Sequence, residues 1–156
     1  MSKKVMVTGS TGFVGRQVVL ALGALKVDVV PVVRIGKEGL VEDIVSINHV
    51  VSTPDLFAED EGWWARQCKG IDIIIHAAWY AEPGRYLQAP LNMDCLIGSL
   101  NLAKGAVKAG VKRIVVIGTC FEYDFSGGVL SVETPLKPLT PYAAAKAALF
   151  FNLSQW

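Results

Sequence analysis

Apolar positions along the chain alternate between two periods, and the alternation outlines strands and helices in turn. Lys4 to Thr8 is a short β-branched run that ends in a glycine cluster, and Phe13 to Leu25 then carries Val14, Val18, Leu22 and Leu25 at helical spacing. The pattern predicts strand, glycine turn and helix. Val27 to Val33 is nearly continuous valine, as in a strand buried on both faces, and Pro31 within it fits only near the strand's end or at a sheet edge. Val45 to Val51 predicts a third strand, Thr53-Pro54-Asp55 a turn, and Glu59 to Lys69 a polar helix carrying Trp63 and Trp64.

Ile71 to His76 predicts the fourth strand. From Tyr86 or Pro90 to Ala109 the apolar spacing is helical again, closed by Gly110 as the glycine just past the last turn, and Arg113 to Gly118 predicts a fifth strand. Phe125 to Pro141 is rich in Ser, Gly, Thr and Pro and reads as a loop longer than a connection requires, hence a functional one. The last helix is predicted to start with Thr140 as N-cap and Pro141 in its first turn, and to run to Trp156. Strands alternating with helices predict an α/β, doubly wound parallel sheet, whose ligand crevice lies at the carboxyl ends of the strands.

Composition narrows the picture. The chain has 156 residues, 52% hydrophobic and 19% charged, which suits one domain with a compact core and excludes a disordered chain. Fifteen Lys and Arg against fourteen Asp and Glu leave a net charge of +1, too weak a field to argue for nucleic acid or an anionic membrane. The longest apolar runs, Ile71 to Ala81 and Val111 to Ile117, are interrupted by charge and fall short of the roughly 20 residues that span a bilayer. The apolar stretch after Lys4 is broken by glycines before a signal-peptide core can form, so a cytoplasmic location is expected. Cys68, Cys95 and Cys120 are odd in number and widely spaced, which indicates neither a disulfide framework nor a metal site and suits a reducing compartment.

The candidate chemistry clusters at strand ends. Thr8-Gly9-Ser10-Thr11-Gly12-Phe13-Val14-Gly15 sets three glycines at intervals of three between the first strand and first helix. Glycine allows a tight turn and close backbone approach, and the helix N-terminus favours a pyrophosphate; the competing reading is a glycine turn with no ligand. At the end of the second strand, where a carboxylate would hold the ribose hydroxyls of NAD, stand Val32, Val33 and Arg34. Arg34, with Lys37 nearby, can pair with a 2′-phosphate, so NADP is expected over NAD, the alternative being a solvated surface arginine. Asp55-Leu56 either brings a carboxylate to adenine or supplies a helix N-terminal Asp after Pro54. Ala77 and Ala78 give a cofactor room to pass, while His76 is expected to be a satisfied core or turn residue.

Thr119 ends the fifth strand, and Tyr142 and Lys146, four apart, share one face of the last helix. A free tyrosine, with a pKa of about 10, is a poor base at neutral pH, and a nearby ammonium is expected to lower that value. Thr119 can hydrogen-bond the reacting oxygen, which completes a proton-transfer site. A Y-x-x-x-K spacing alone is common by chance; in order with the glycine motif and a strand-end hydroxyl it is specific.

With these residues in place, the chain resembles the extended short-chain dehydrogenase/reductase family, the NAD-dependent epimerase/dehydratase group acting largely on nucleotide sugars. The resemblance implies a Rossmann-type fold, diphosphate binding at Thr8, Gly9, Gly12 and Gly15, adenine contact at Asp55-Leu56, and a cofactor lined by Ala77 and Ala78. It also implies catalysis by Thr119, Tyr142 and Lys146, with Lys146 holding the ribose as well, and it places Tyr123 at a tyrosine that commonly follows the catalytic hydroxyl. The implied activity is an NADP-dependent nucleotide-sugar epimerase or 4-ketoreductase, the alternatives being a reductase of other carbonyls or a non-catalytic dinucleotide sensor. A homodimer through the helices at Pro90 to Ala109 and Tyr142 to Trp156 is implied too.

Three departures qualify the resemblance. Cys120-Phe121 stand where the 4,6-dehydratases carry Asp-Glu, which argues against a dehydratase. Cys95 replaces an expected helix-four asparagine, with Asn92 one turn earlier, and Cys120 is expected to be a buried, inert thiol. Relatives are also longer, so the chain is expected to be the dinucleotide-binding part of a larger protein, ending before the last strands and a substrate lobe.

Overall fold

The computed structural model describes residues 3–42 and 49–155. Five strands form one parallel sheet in the order β3-β2-β1-β4-β5: β1 (Lys4–Thr8), β2 (Asp28–Arg34), β3 (Val51–Thr53), β4 (Ile73–His76) and β5 (Arg113–Val116). Among the described residues five α-helices accompany them: α1 (Phe13–Ala24), the short α2 (Gly39–Glu42), α3 (Glu61–Gln67), α4 (Leu91–Ala109) and α5 (Pro141–Leu153). The chain divides into two compact units, residues 1–78 with 101–117, and residues 79–100 with 118–156.

The first unit holds the sheet, and side-chain alternation along its strands sorts two cores. Val5 and Val7 of β1, with Val29 of β2, pack with Val19 of α1 on one face. Met6, Val30, Val32, Val51 and Ile74 face the other way, against Trp64 of α3, Cys68 just past its end, and Leu102 and Ala106 from α4. Helices on both faces of an all-parallel sheet make this a doubly wound, Rossmann-type fold. Pro31 lies inside β2 rather than near its end, yet β3 pairs only with Val32 to Arg34, so at Pro31 the strand is laddered on the β1 side alone.

Most predicted elements are present, with shifted ends. The third strand pairs at Val51–Thr53, later than the expected Val45 to Val51; residues 45–48 of that span lie outside the described residues. Pro54, which lacks an N–H, stands directly after it. Helix α3 starts at Glu61, because Asp60 caps it by accepting from the Trp63 N–H at 2.6 Å, while Glu59 accepts from the Thr53 hydroxyl. Gly110 follows α4 at φ +80°, as its predicted place just past the helix requires.

The second unit is built from the first half of α4, three 3-10 turns (Tyr86–Gln88, Cys120–Glu122 and Phe125–Gly127) and α5. The stretch expected as a long loop folds back on itself. Tyr123 and Leu136 form an antiparallel bridge, flanked by Asp124 N–H to Pro135 C=O and Lys137 N–H to Glu122 C=O, both at 2.8 Å. Thr140 caps α5 as predicted, accepting from the Ala143 N–H at 3.1 Å, and the helix ends at Leu153.

Candidate functional site

In the first unit the glycine turn is shaped by two close approaches. Gly9 has φ +69°, and a Cβ there would lie 2.7 Å from the Ala78 nitrogen and 2.9 Å from the Ala77 carbonyl carbon. A Cβ on Gly15 would lie 2.0 Å from the Gly9 carbonyl oxygen. The turn therefore closes only when both positions are bare, and Gly12 N–H bonds Gly9 C=O at 2.9 Å to seal it. Gly12 then serves as the N-cap of α1 with no side-chain cap, and no acidic residue occupies the first turn. The leading amides of α1, from Phe13 to Gly15, lack helix partners by geometry and have the positive end of the helix dipole behind them. That donor set fits a diphosphate.

The individual candidates fare differently. Thr11, Gly12, Phe13 and Val14 are exposed. Ser10 is fully buried and its hydroxyl donates to Val7 C=O at 2.6 Å, so its side chain braces the turn and only its main chain is left to meet a ligand. Thr8 is equally buried, with Oγ1 2.7 Å from His76 Nδ1 and accepting from the Ala78 N–H at 3.3 Å. These bonds tie the ends of β1 and β4 together and make His76 the core residue the sequence suggested. Arg34 is exposed at the end of β2, and its C=O accepts from the Lys37 N–H at 2.9 Å. Asp55 is exposed and heads no helix; its Oδ1 accepts from the Phe57 N–H at 2.9 Å, and Leu56 leans on the core beneath it.

In the second unit Thr119, Tyr142 and Lys146 come together. The Thr119 hydroxyl hydrogen-bonds the Tyr142 phenol, and Lys146 lies one helical turn further along α5. Tyr86 meets the Tyr142 ring edge-on at 4.8 Å between centroids, with Trp79 at 6.3 Å and Phe121 at 6.5 Å. The Lys146 ammonium sits 4.1 Å from the centre of the Trp79 ring. Asn92, 1% exposed, accepts from the Trp79 indole N–H at 2.9 Å and gives its amide protons to the carbonyls of Tyr86 and Ala89. Asn92 thus holds the aromatic wall in place.

The electrostatics depart from expectation. Burial raises the Tyr142 pKa above that of a free phenol, with Tyr86, Glu122 and Cys120 adding to the rise and the Thr119 hydrogen bond opposing it. The phenolate-favouring effect expected from Lys146 does not decide the balance: Tyr142 is a neutral phenol at neutral pH. Lys146 itself is brought down to about 8 by burial, against the pull of Glu122 and Cys95. Cys120 is exposed rather than buried, whereas Cys68 and Cys95 are buried. As site residues Glu122, Trp79 and Tyr86 escaped the sequence reading, which had noted Asn92; of the three Glu122 left a signal, since Thr119-x-x-Glu122 has capping-box spacing.

Residues 5–150 match the profile of the NAD dependent epimerase/dehydratase family. The chain belongs to that family. Among curated relatives of this epimerase-family chain, the dTDP-6-deoxy-L-talose 4-dehydrogenase (NAD(+)) of Aggregatibacter actinomycetemcomitans is 26% identical over 148 residues, covering 91% of this chain and 51% of that protein. A Thermus thermophilus UDP-glucose 4-epimerase solved in complex with NAD is 28% identical with a TM-score of 0.78, over 97% of this chain and 50% of the other. The Campylobacter jejuni UDP-Glc/GlcNAc 4-epimerase shares the fold at TM-score 0.83 and 20% identity, over 99% of this chain and 49% of that one. The chain spans about half the length of the relatives it matches. Among the described residues no helix is long and apolar enough to cross a membrane, and no cluster of metal-ligating side chains occurs.

The depressed Lys146 value makes stability depend on pH in a defined direction. Between about pH 8 and the ordinary lysine value of 10.5 the unfolded chain binds a proton that the folded chain does not, so stability rises with pH across that window. Denaturant unfolding at pH 7 and pH 10 should show Lys146→Met losing a rising component of roughly 3 kcal/mol relative to the parent. Parallel pH dependences in the two proteins would contradict the burial of a charged Lys146.

Proposed function

We propose that this protein is a nicotinamide-dinucleotide oxidoreductase acting on a nucleotide sugar, as a 4-epimerase or 4-ketoreductase, with Thr119, Tyr142 and Lys146 as its catalytic residues. The observation that carries the proposal is the Thr119 hydroxyl bonded to the Tyr142 phenol one helical turn from Lys146. Family membership supports it, as do the names of relatives that act on nucleotide sugars. When bound, the dinucleotide supplies a nicotinamide carbon that accepts or returns hydride.

The chain's own residues do the rest. The bare amides at the start of α1 hold the diphosphate, with Gly9, Gly12 and Gly15 allowing backbone approach, and Ala77 and Ala78 crowding the turn with little more than main chain. Thr119 donates to the sugar oxygen at the reacting carbon. Tyr142, a neutral phenol, gives its proton to that oxygen as a carbonyl is reduced, and takes it back when a hydroxyl is oxidised. Lys146 contributes positive charge beside the phenol and contacts the ribose.

The finer cofactor choice rests on Arg34, exposed at the end of β2 with no carboxylate at the neighbouring Val32 and Val33, and on this ground we favour NADP. The relatives that name a cofactor name NAD, which weighs against that preference. A cytoplasmic homodimer belongs to the same reading: Leu91, Met93 and Ile97 of α4 with Phe150 and Phe151 of α5 are each about half exposed. Sedimentation velocity should return twice the chain mass, and a monomer at micromolar concentration would remove the dimer.

Turnover is tested on the natural protein. Tyr142→Phe should lower hydride exchange by about 10²- to 10⁴-fold while dinucleotide binding is retained. An unchanged rate would refute the catalytic assignment. NADPH should raise the melting temperature more than NADH, and Arg34→Ala should erase that difference; a larger shift with NADH in the parent would return the site to NAD.

A further inference from the structure

The second unit buries a carboxylate that the proposed chemistry does not use. Among the described residues Glu122 is the one buried carboxylate and Lys146 the one buried ammonium, each 5% exposed. Removing a carboxylate from water is costly unless hydrogen bonds and opposite charge offset it. At Glu122 both are present.

The Glu122 carboxylate accepts from the Thr119 N–H at 2.7 Å, while the Thr119 hydroxyl accepts from the Phe121 N–H at 3.3 Å, so the two residues cap one turn reciprocally. The Glu122 backbone is fixed at both ends, its N–H bonding Thr119 C=O at 3.3 Å and its C=O accepting from the Lys137 N–H at 2.8 Å. A Cβ added at Gly118 would come within 3.2 Å of Glu122 Oε1, so even the residue before Thr119 is shaped around the carboxylate. An ordinary cap on a 3-10 turn needs none of this burial.

We propose that Glu122 is a positioning residue of the proton-transfer site: its buried carboxylate fixes the backbone that presents the Thr119 hydroxyl to Tyr142, and supplies the negative charge that Tyr142 and Lys146 both face. The inference rests on reading Thr119, Tyr142 and Lys146 as the catalytic residues. The titratable groups that act on Tyr142 are Tyr86 from the first 3-10 turn and Cys120 and Glu122 from the second; those that act on Lys146 are Glu122 and Cys95 of α4. Glu122 alone is common to both. It favours the neutral phenol and the ammonium together, which is the protonation state needed to donate a proton to a nascent alkoxide.

A cap that is only structural and a charge that tunes the site are separated by changing one without the other. Glu122→Gln keeps an acceptor for the Thr119 N–H and removes the charge. The phenol of Tyr142, followed as the ultraviolet difference against Tyr142→Phe in the same background, should then titrate lower by about one unit. The Lys146 side chain, followed by NMR, should also titrate lower. Unchanged midpoints for both would overturn the proposal. Glu122→Asp keeps the charge and the fold but cannot reach the Thr119 N–H, so hydrogen exchange at that amide should quicken by about 10-fold or more; unaltered exchange would remove the positioning role. None of these readouts needs turnover, so a failed catalytic assignment, seen in Tyr142→Phe, stays distinct from a failed role for Glu122.

Discussion

One steric contact governs the first unit: the Gly15 backbone lies so close to the Gly9 carbonyl that a Cβ would fall 2.0 Å from its oxygen. That contact sets how tightly β1 can turn into α1, and it forces glycine where any other residue would pry the turn open. Ser10 is drawn inward to Val7 and Thr8 to His76, leaving main chain at the front of the helix. The uncapped helix start, with no acid in its first turn, leaves exposed amides that a diphosphate would suit on the proposed function. The parallel sheet beneath, clad on both faces, holds these strand ends in register.

The second unit follows a different logic, in which burial is accepted to tune acidity. Tyr142 is walled by Tyr86, Trp79 and Phe121, and desolvation raises its pKa above that of a free phenol, outweighing the hydrogen bond from Thr119 that lowers it. Lys146 loses hydration as well, recovering part of it from the face of Trp79 and from Glu122. On the proposed function, such a pair is an acid ready to donate, which suits the reducing direction of a hydride transfer more directly than the oxidising one.

Much of this was legible in the sequence because it is local. The glycine spacing, the Thr140 and Pro141 start of α5, Gly110 after α4, and the strand-helix alternation each depend on neighbours in the chain, and the family resemblance is carried by the same residues. What was not legible depends on tertiary surroundings. Burial reversed the expected shift at Tyr142, and Cys120 emerged exposed where a strand end suggested a covered site. Ser10 sits within the motif yet turns inward, because period alone does not say which way a loop hydroxyl points. Helix α3 starts late since Glu59 is engaged by Thr53 and Asp60 takes the cap. The Thr119 to Glu122 spacing was visible as a cap, but its meaning lay in the lysine and tyrosine that only folding brings beside it.

The central claim, that bare amides at the start of α1 receive a dinucleotide's diphosphate, is tested most directly by amide NMR of this chain titrated with NADPH, NADH and ADP-ribose. The account predicts that all three move the Phe13, Val14 and Gly15 amides most, ADP-ribose included because it carries the diphosphate without the nicotinamide. Saturating ligand that leaves those three amides unmoved, or that shifts only residues elsewhere, would contradict it.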